Sequence, residues 1–126
     1  MKLRVKGNSL RLRVSPSELA RLLEAGSIEE TIRFASQEEA KLTYALEHAA
    51  TEEAISVRYR PREVTIVLST QRARIWAEGE DVGVCGTVRV GSDELELIVE
   101  KDFACLDGTD EDNKDTFANP KNKVSC

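Results

Sequence analysis

Five cations and no acid fall within the first 14 residues: Lys2, Arg4, Lys6, Arg11 and Arg13. They alternate with apolar residues on either side of a Gly7-Asn8 pair, so a two-residue turn there brings all five to one face. Converging Arg and Lys side chains suit anion recognition. Arg offers two parallel hydrogen bonds to a phosphate or carboxylate, and Lys offers a point charge. The competing use of the same residues is a solvated or internally neutralised face, which is the common fate of charge runs. Arg89 has Glu94 or Glu96 to face, and Asp107, Asp110, Glu111, Asp112 and Asp115 are the acids available to fold back over the hairpin.

Glu94-x-Glu96 places two carboxylates on one face of a strand, and with Glu47 or Glu100 they are candidate oxygen ligands for Mg²⁺ or Mn²⁺. Carboxylates beside rows of Arg and Lys in an eight-stranded barrel would be similar in plan to the triphosphate tunnel enzymes. The likeness is one of fold alone. Those enzymes open with Glu-x-Glu-x-Lys on the first strand, whereas this chain opens Lys2-Leu3-Arg4-Val5-Lys6, and its helix falls one strand later in each repeat. Cys105 with Cys126, joined by His48 or Cys85, forms a second candidate metal set, although no close C-x₂-C pair supports zinc. Cys85 alternates with valines and reads as a small core residue. His48 ends a strand and reads as a surface or capping residue. The run Asp110-x-Asp112-x-Lys114 is not a calcium loop, because lysine stands at the fifth position and the sixth lacks glycine. No P-loop, dinucleotide fingerprint or nucleophile elbow occurs, so no cofactor and no catalytic residue are expected. Trp76 reads as core.

The elements that must position these residues follow from pattern. Residues 2–6 and 9–14 alternate strictly, and the turn pairs Lys6 with Ser9, Val5 with Leu10, Arg4 with Arg11, Leu3 with Leu12 and Lys2 with Arg13. Ser15-Pro16-Ser17-Glu18 is a capping box with proline at the first helical position. Leu19, Leu22 and Leu23 supply the apolar stripe, and Gly26 supplies the stop. Residues 28–34 and 41–47 read as two strands about a polar turn at 36–39.

The chain then repeats. Shifting residues 2–15 by 54 lays Leu3, Arg4, Val5 and Lys6 on Val57, Arg58, Tyr59 and Arg60. Leu10, Leu12, Val14 and Ser15 fall on Val64, Ile66, Leu68 and Ser69. A short helix carries Ala73, Trp76 and Ala77 where Leu19, Leu22 and Leu23 stood, and Gly79 ends it. Thr87–Ser92 answers 31–36. Leu95, Leu97 and Val99 answer Leu42, Tyr44 and Leu46. The expected fold is α+β: a strand-strand-helix-strand-strand module made twice, repeat one over 1–50 and repeat two over 54–101. Its eight mainly antiparallel strands would form a barrel or a curved sheet with both helices on one face. Open edges in each copy suggest that the copies complete one another about a pseudo-twofold axis. Residues 102–126 read as an acidic loop or tail anchored by Phe117.

At 126 residues, 40% apolar and 33% charged, the chain reads as one soluble domain. Its net charge of −5 divides into 13 Lys and Arg against 10 acids over residues 1–75, and 5 against 13 over 76–126. Nucleic acid is an unfavoured partner for such a balance. No apolar run spans a bilayer and no signal-peptide pattern opens the chain, so neither membrane nor export is expected. Three cysteines are a sparse, odd set that favours a reducing compartment.

The opening MKLRVKGNSLRLRVSPSE and the late DFACLDGTDEDNKDTFANP together resemble a family of short bacterial proteins of unknown function. That resemblance covers nearly the whole chain. It implies a cytoplasmic bacterial protein standing alone, and it carries no activity from which a catalytic residue could be transferred. The residues therefore support a cationic site for a small anionic ligand or an acidic partner, with metal-dependent phosphohydrolysis or a ligand-free interaction role as rivals.

Overall fold

A computed structural model describes residues 1–103 and 115–117. Its elements run β1 (Lys2–Val5), β2 (Ser9–Val14), α1 (Pro16–Ala25), β3 (Ser27–Arg33), β4 (Lys41–Ala49), β5 (Ile55–Arg60), β6 (Glu63–Ser69), α2 (Thr70–Glu78), β7 (Gly83–Val90) and β8 (Asp93–Lys101).

Local chemistry builds the elements as expected. Gly7 takes φ +55°, and Lys6 and Ser9 exchange backbone hydrogen bonds of 3.3 and 3.1 Å across the first turn. The register is the one the turn dictates, with Leu3 opposite Leu12 and Arg4 opposite Arg11. In the second half the left-handed position passes to Arg62, at φ 67°, because Pro61 before it cannot adopt positive φ. Ser15 and Glu18 close a reciprocal capping box on α1, and Gly26 ends the helix at φ 90°. Ser69 caps α2 by accepting from the Arg72 backbone at 3.1 Å.

The strands form two sheets, β1-β2-β8-β7 and β3-β4-β6-β5. Each joins the first hairpin of one half to the second hairpin of the other through a parallel central pair. Leu12 pairs with Val99 in one sheet and Ile66 with Leu46 in the other. Under the sequence shift these are the same pair made twice. The contact next to it also repeats: Glu96 donates its backbone N–H to Asn8 at 3.1 Å, and Thr43 to Arg62 at 2.8 Å.

The α+β class holds, with mainly antiparallel strands, but the sheet neither closes into a barrel nor stays a single curved layer. The reason is visible where β5 passes β7. An added Cβ on Gly86 would lie 2.5 Å from Ile55 Cγ2, so these edges meet through a side chain seated on bare backbone rather than through ladder bonds.

Between the sheets lies one core. Leu12, Val14, Leu97 and Val99 of the first sheet meet Ile28, Leu46, Ile66 and Leu68 of the second. The helices carry the chain from one sheet to the other and add Leu19, Leu22, Ala73 and Trp76 to the same cluster. Trp76 is fully buried, and its indole donates to the Val82 carbonyl at 3.0 Å, so its one polar atom is satisfied. Cys85 departs from expectation. Val84, not Cys85, turns inward in β7, while Cys85 stands half-buried opposite Ile98 on the outer face. Strand alternation puts Cys85, between Val84 and Gly86, on the face opposite to the buried Val84.

Candidate functional site

Because Leu3, Leu10 and Leu12 turn toward the core, Lys2, Arg4, Lys6, Arg11 and Arg13 are carried on the outer face of the first sheet. The five are brought together as the alternation implies, outside the molecule rather than lining a tunnel. Their neighbour on the interior side is β8, whose register sets Ser9 beside Glu96, Arg11 beside Ile98 and Arg13 beside Glu100.

That register divides the cations. Arg13 donates from Nε to Glu100 Oε1 at 2.8 Å, and Arg11 Nε approaches the same oxygen at 3.6 Å. Lys2 Nζ lies 2.9 Å from Asp102 Oδ2. Arg4 and Lys6, nearer the turn, make no ion pair among the described residues. With Ser9, Leu10, Arg11, Glu96 and Ile98 they line a recess of about 290 Å³. Asn8 ties the turn to β8 through a 2.6 Å bond from its amide to the Glu94 carbonyl.

The second half shows why Arg4 and Lys6 lack acidic partners among the described residues. Arg58, the counterpart of Arg4, holds Glu47 by two bonds of 3.1 Å, Nη1 to Oε2 and Nη2 to Oε1. Those hydrogen bonds from Arg58 hold the Glu47 carboxyl below its ordinary value. Glu47 corresponds to Glu100. In the second sheet the places of Arg11 and Arg13 are taken by Thr65 and Val67, both buried, so nothing competes with Arg58 for the carboxylate. In the first sheet Arg11 and Arg13 occupy Glu100, and Arg4 is displaced from it. Likewise Arg60 faces Glu63, whereas Lys6 faces Ser9. Glu100 and Asp102 were not singled out as partners of these cations from the sequence. The signal that identifies Glu100 is its position 53 residues after Glu47, one strand away from an arginine in both halves.

A larger recess of about 610 Å³ lies at the start of α1, lined by Met1, Lys2, Ser15, Ser17, Glu18, Arg21, Asp102 and Asp115. Its charges already cancel. The amino terminus of Met1 pairs with Glu18 and, at 3.1 Å, with Glu30. Asp115 accepts from the Ser17 hydroxyl at 2.5 Å and from its backbone N–H at 3.3 Å. The Ser17 hydroxyl is the largest influence holding the Asp115 carboxyl below its ordinary value. Asp115 does fold back, onto the first turn of α1 and not over the hairpin cations. Asp107, Asp110, Glu111 and Asp112 lie outside the described residues.

Among the described residues the metal candidates form no cluster. Glu94 stands opposite Arg89, and Glu96 lies between Thr87 and Ser9. His48 sits within β4 with Nδ1 3.0 Å from the Thr70 hydroxyl, while its Nε2 is buried without a partner among the described residues. Cys105 and Cys126 lie outside the described residues. Among the described residues no three His, Cys, Asp or Glu side chains are arranged to hold a metal ion. The tunnel arrangement also fails, because the charged faces point outward from two separate sheets.

These features define an α+β protein of two interleaved four-stranded sheets with a cationic recess on the outside of one. The chain belongs to the Family of unknown function (DUF7009), whose model matches residues 1–121. No curated protein and no solved structure matches it. Among the described residues no helix is long and apolar enough to cross a membrane.

Proposed function

We propose that this is a binding protein for a small anionic ligand, held on the outer face of β1 and β2 by Arg4, Lys6 and Arg11. The observation that supports this reading is the pair of cations Arg4 and Lys6 at a recess, unmatched among the described residues, whereas Arg58, the counterpart of Arg4 in the other half, is neutralised by Glu47. Like charges directly opposite in a strand pair are unfavourable, so Arg4 facing Arg11 gains from an anion placed between them. Ser9 adds a hydroxyl at the rim. The ligand class is one bearing phosphate or carboxylate groups, and an acidic protein segment is the macromolecular version of the same chemistry. Residues 1–101 act as the single unit that carries the site, in a cytoplasmic bacterial setting.

Glu96 at the edge of the recess favours one second reading, metal-dependent phosphohydrolysis with Glu94 and Glu96 holding the ion. Calorimetric titration with inorganic phosphate, nucleotides and polyphosphate, with and without Mn²⁺, separates the two. Salt-sensitive binding without turnover, weakened about tenfold or more in Arg4→Ala and Arg11→Ala, is the expected result. Phosphate release that requires Mn²⁺ and is lost in Glu96→Gln would establish the second reading. Failure of all three ligands to bind would leave a structural or interaction role.

A further inference from the structure

Each sheet carries a row of outward side chains next to the first turn of its half, and the two rows space their charges differently. In the second sheet Arg60 stands directly opposite Glu63, so base and acid are neighbours on one hairpin. Beyond them Thr43 and Thr31 join their hydroxyls at 2.8 Å. The corresponding row of the first sheet runs Lys6, Ser9, Glu96, Thr87. Here the acid stands one strand further out and a serine fills the place between. Neighbouring strands lie about 4.8 Å apart, so Lys6 and Glu96 are separated by about 10 Å at the backbone. That spacing is held firmly. The Glu96 N–H donates to the Asn8 carbonyl at 3.1 Å and the Asn8 amide to the Glu94 carbonyl at 2.6 Å, which fastens the turn to β8.

Glu96 points outward, because Leu97 beside it is buried in the core. It lines the recess with Arg4, Lys6, Ser9 and Arg11, and Ile98 adds an apolar patch. Among the described residues Glu96 makes no ion pair, and neither do Arg4 and Lys6. Arg89 stands opposite Glu94 rather than Glu96. Charges of both signs therefore face one recess of about 290 Å³, at the small end of ligand pockets. A polyanion drawn to Arg4, Lys6 and Arg11 is pushed back by Glu96. A ligand that carries a cation beside its anion satisfies both walls. An ammonium needs only the one carboxylate that Glu96 offers, whereas Mg²⁺ or Mn²⁺ takes several oxygens.

We infer that the recess selects a small zwitterion, with one phosphate or carboxylate group held by Arg4, Lys6 and Arg11 and one primary ammonium group held by Glu96. This selectivity rests on the anion-binding reading of the same recess, and Glu96 is the residue that discriminates among anions.

Titration calorimetry of the full chain with two matched pairs tests it: ethyl phosphate against O-phosphoethanolamine, and propionate against β-alanine. Within each pair the anionic group is kept and only an ammonium is added. The addition lowers the net negative charge, so a cationic field by itself favours the first member. The expected result is the reverse, the ammonium-bearing member binding about threefold or more tighter in at least one pair. Glu96→Gln should abolish that preference and raise the affinity for ethyl phosphate by removing a repulsion, while Arg4→Ala should weaken both members alike. Glu96 and Arg4 are exposed, so circular dichroism of both variants should match the parent. Equal or tighter binding of ethyl phosphate and of propionate by the parent overturns the selectivity and leaves the anion-binding reading standing. A preference that survives Glu96→Gln overturns it as well, since the ammonium is then held elsewhere. If none of the four compounds binds, the selectivity and the anion-binding reading fall together.

Discussion

Replacing Arg11 with Thr and Arg13 with Val copies the second sheet, where Thr65 and Val67 hold those places, into the first. Glu100 then loses a 2.8 Å bond from Arg13 and a 3.6 Å approach from Arg11, and becomes available to Arg4 as Glu47 is to Arg58. The lost Arg13 bond contributes about 1 kcal/mol, discounted because Arg13 is well exposed to solvent. Removing the Arg4–Arg11 and Lys2–Arg13 repulsions returns about 0.2–1 kcal/mol each. A new two-bond pair between Arg4 and Glu100 adds about 0.5–1 kcal/mol. The double variant should therefore be as stable as the parent or up to about 2 kcal/mol more stable, with an unchanged or higher Tm. Glu100→Gln alone is the opposing control. It leaves two arginines beside a neutral amide and should cost about 1–2 kcal/mol, less in high salt. Urea denaturation at two ionic strengths measures both, and anion titration of the double variant should show binding weakened about tenfold. The reasoning fails if the double variant loses more than about 3 kcal/mol, if Glu100→Gln is neutral, or if anion affinity is unchanged.

Trp76→Ala should cost about 3–5 kcal/mol, since it empties a fully buried site shared by both sheets, while the Val82 carbonyl keeps its second donor, the Lys101 backbone N–H. Urea denaturation reads the loss, and a parent emission that is not blue-shifted would contradict the burial. Burial pushes the Glu18 carboxyl up, but hydrogen bonds from the amino terminus and from Ser15 outweigh it, leaving the group below its ordinary 4.5. A depressed folded value means its stabilisation is present in full above 4.5 and lost as pH falls through the folded value. Glu18→Gln should accordingly flatten the acid limb of stability against pH, and an unchanged limb would refute the assignment. Burial lowers Lys101 from 10.5, with the nearby Asp81 charge opposing, while its ammonium donates to the Gly79 carbonyl at 3.0 Å and lies 5.5 Å from the Phe117 ring. The unfavourable contribution is present below the folded value and disappears as pH rises to 10.5. Lys101→Met should therefore sit within about 1 kcal/mol of the parent at neutral pH and lack the alkaline gain.

Where an interaction spans a few residues, composition and spacing determined it. The Gly7-Asn8 turn fixed which side chains face each other in the first hairpin, and so put five cations on one side. Ser15, Pro16, Glu18 and Gly26 bounded α1 through bonds that close within four residues. A 54-residue shift matched the first hairpin and helix to their counterparts, and shifts of 56 and 53 residues matched the next two strands to theirs. What spacing does not encode is which hairpin docks on which. The parallel joins of β2 to β8 and of β4 to β6 link separate hairpins, the first across almost the whole described chain, and burial of two apolar faces against both helices selected them.

That docking alone decided which cations are neutralised, because Glu100 and Asp102 reach Arg13 and Lys2 only once β8 lies beside β2. It also turned Cys85 outward, by letting Val84 fill the core. The hydrophobic alternation of each hairpin was written in the chain itself. The electrostatic fate of each hairpin's outer face depended on a neighbour that only the folded molecule supplies.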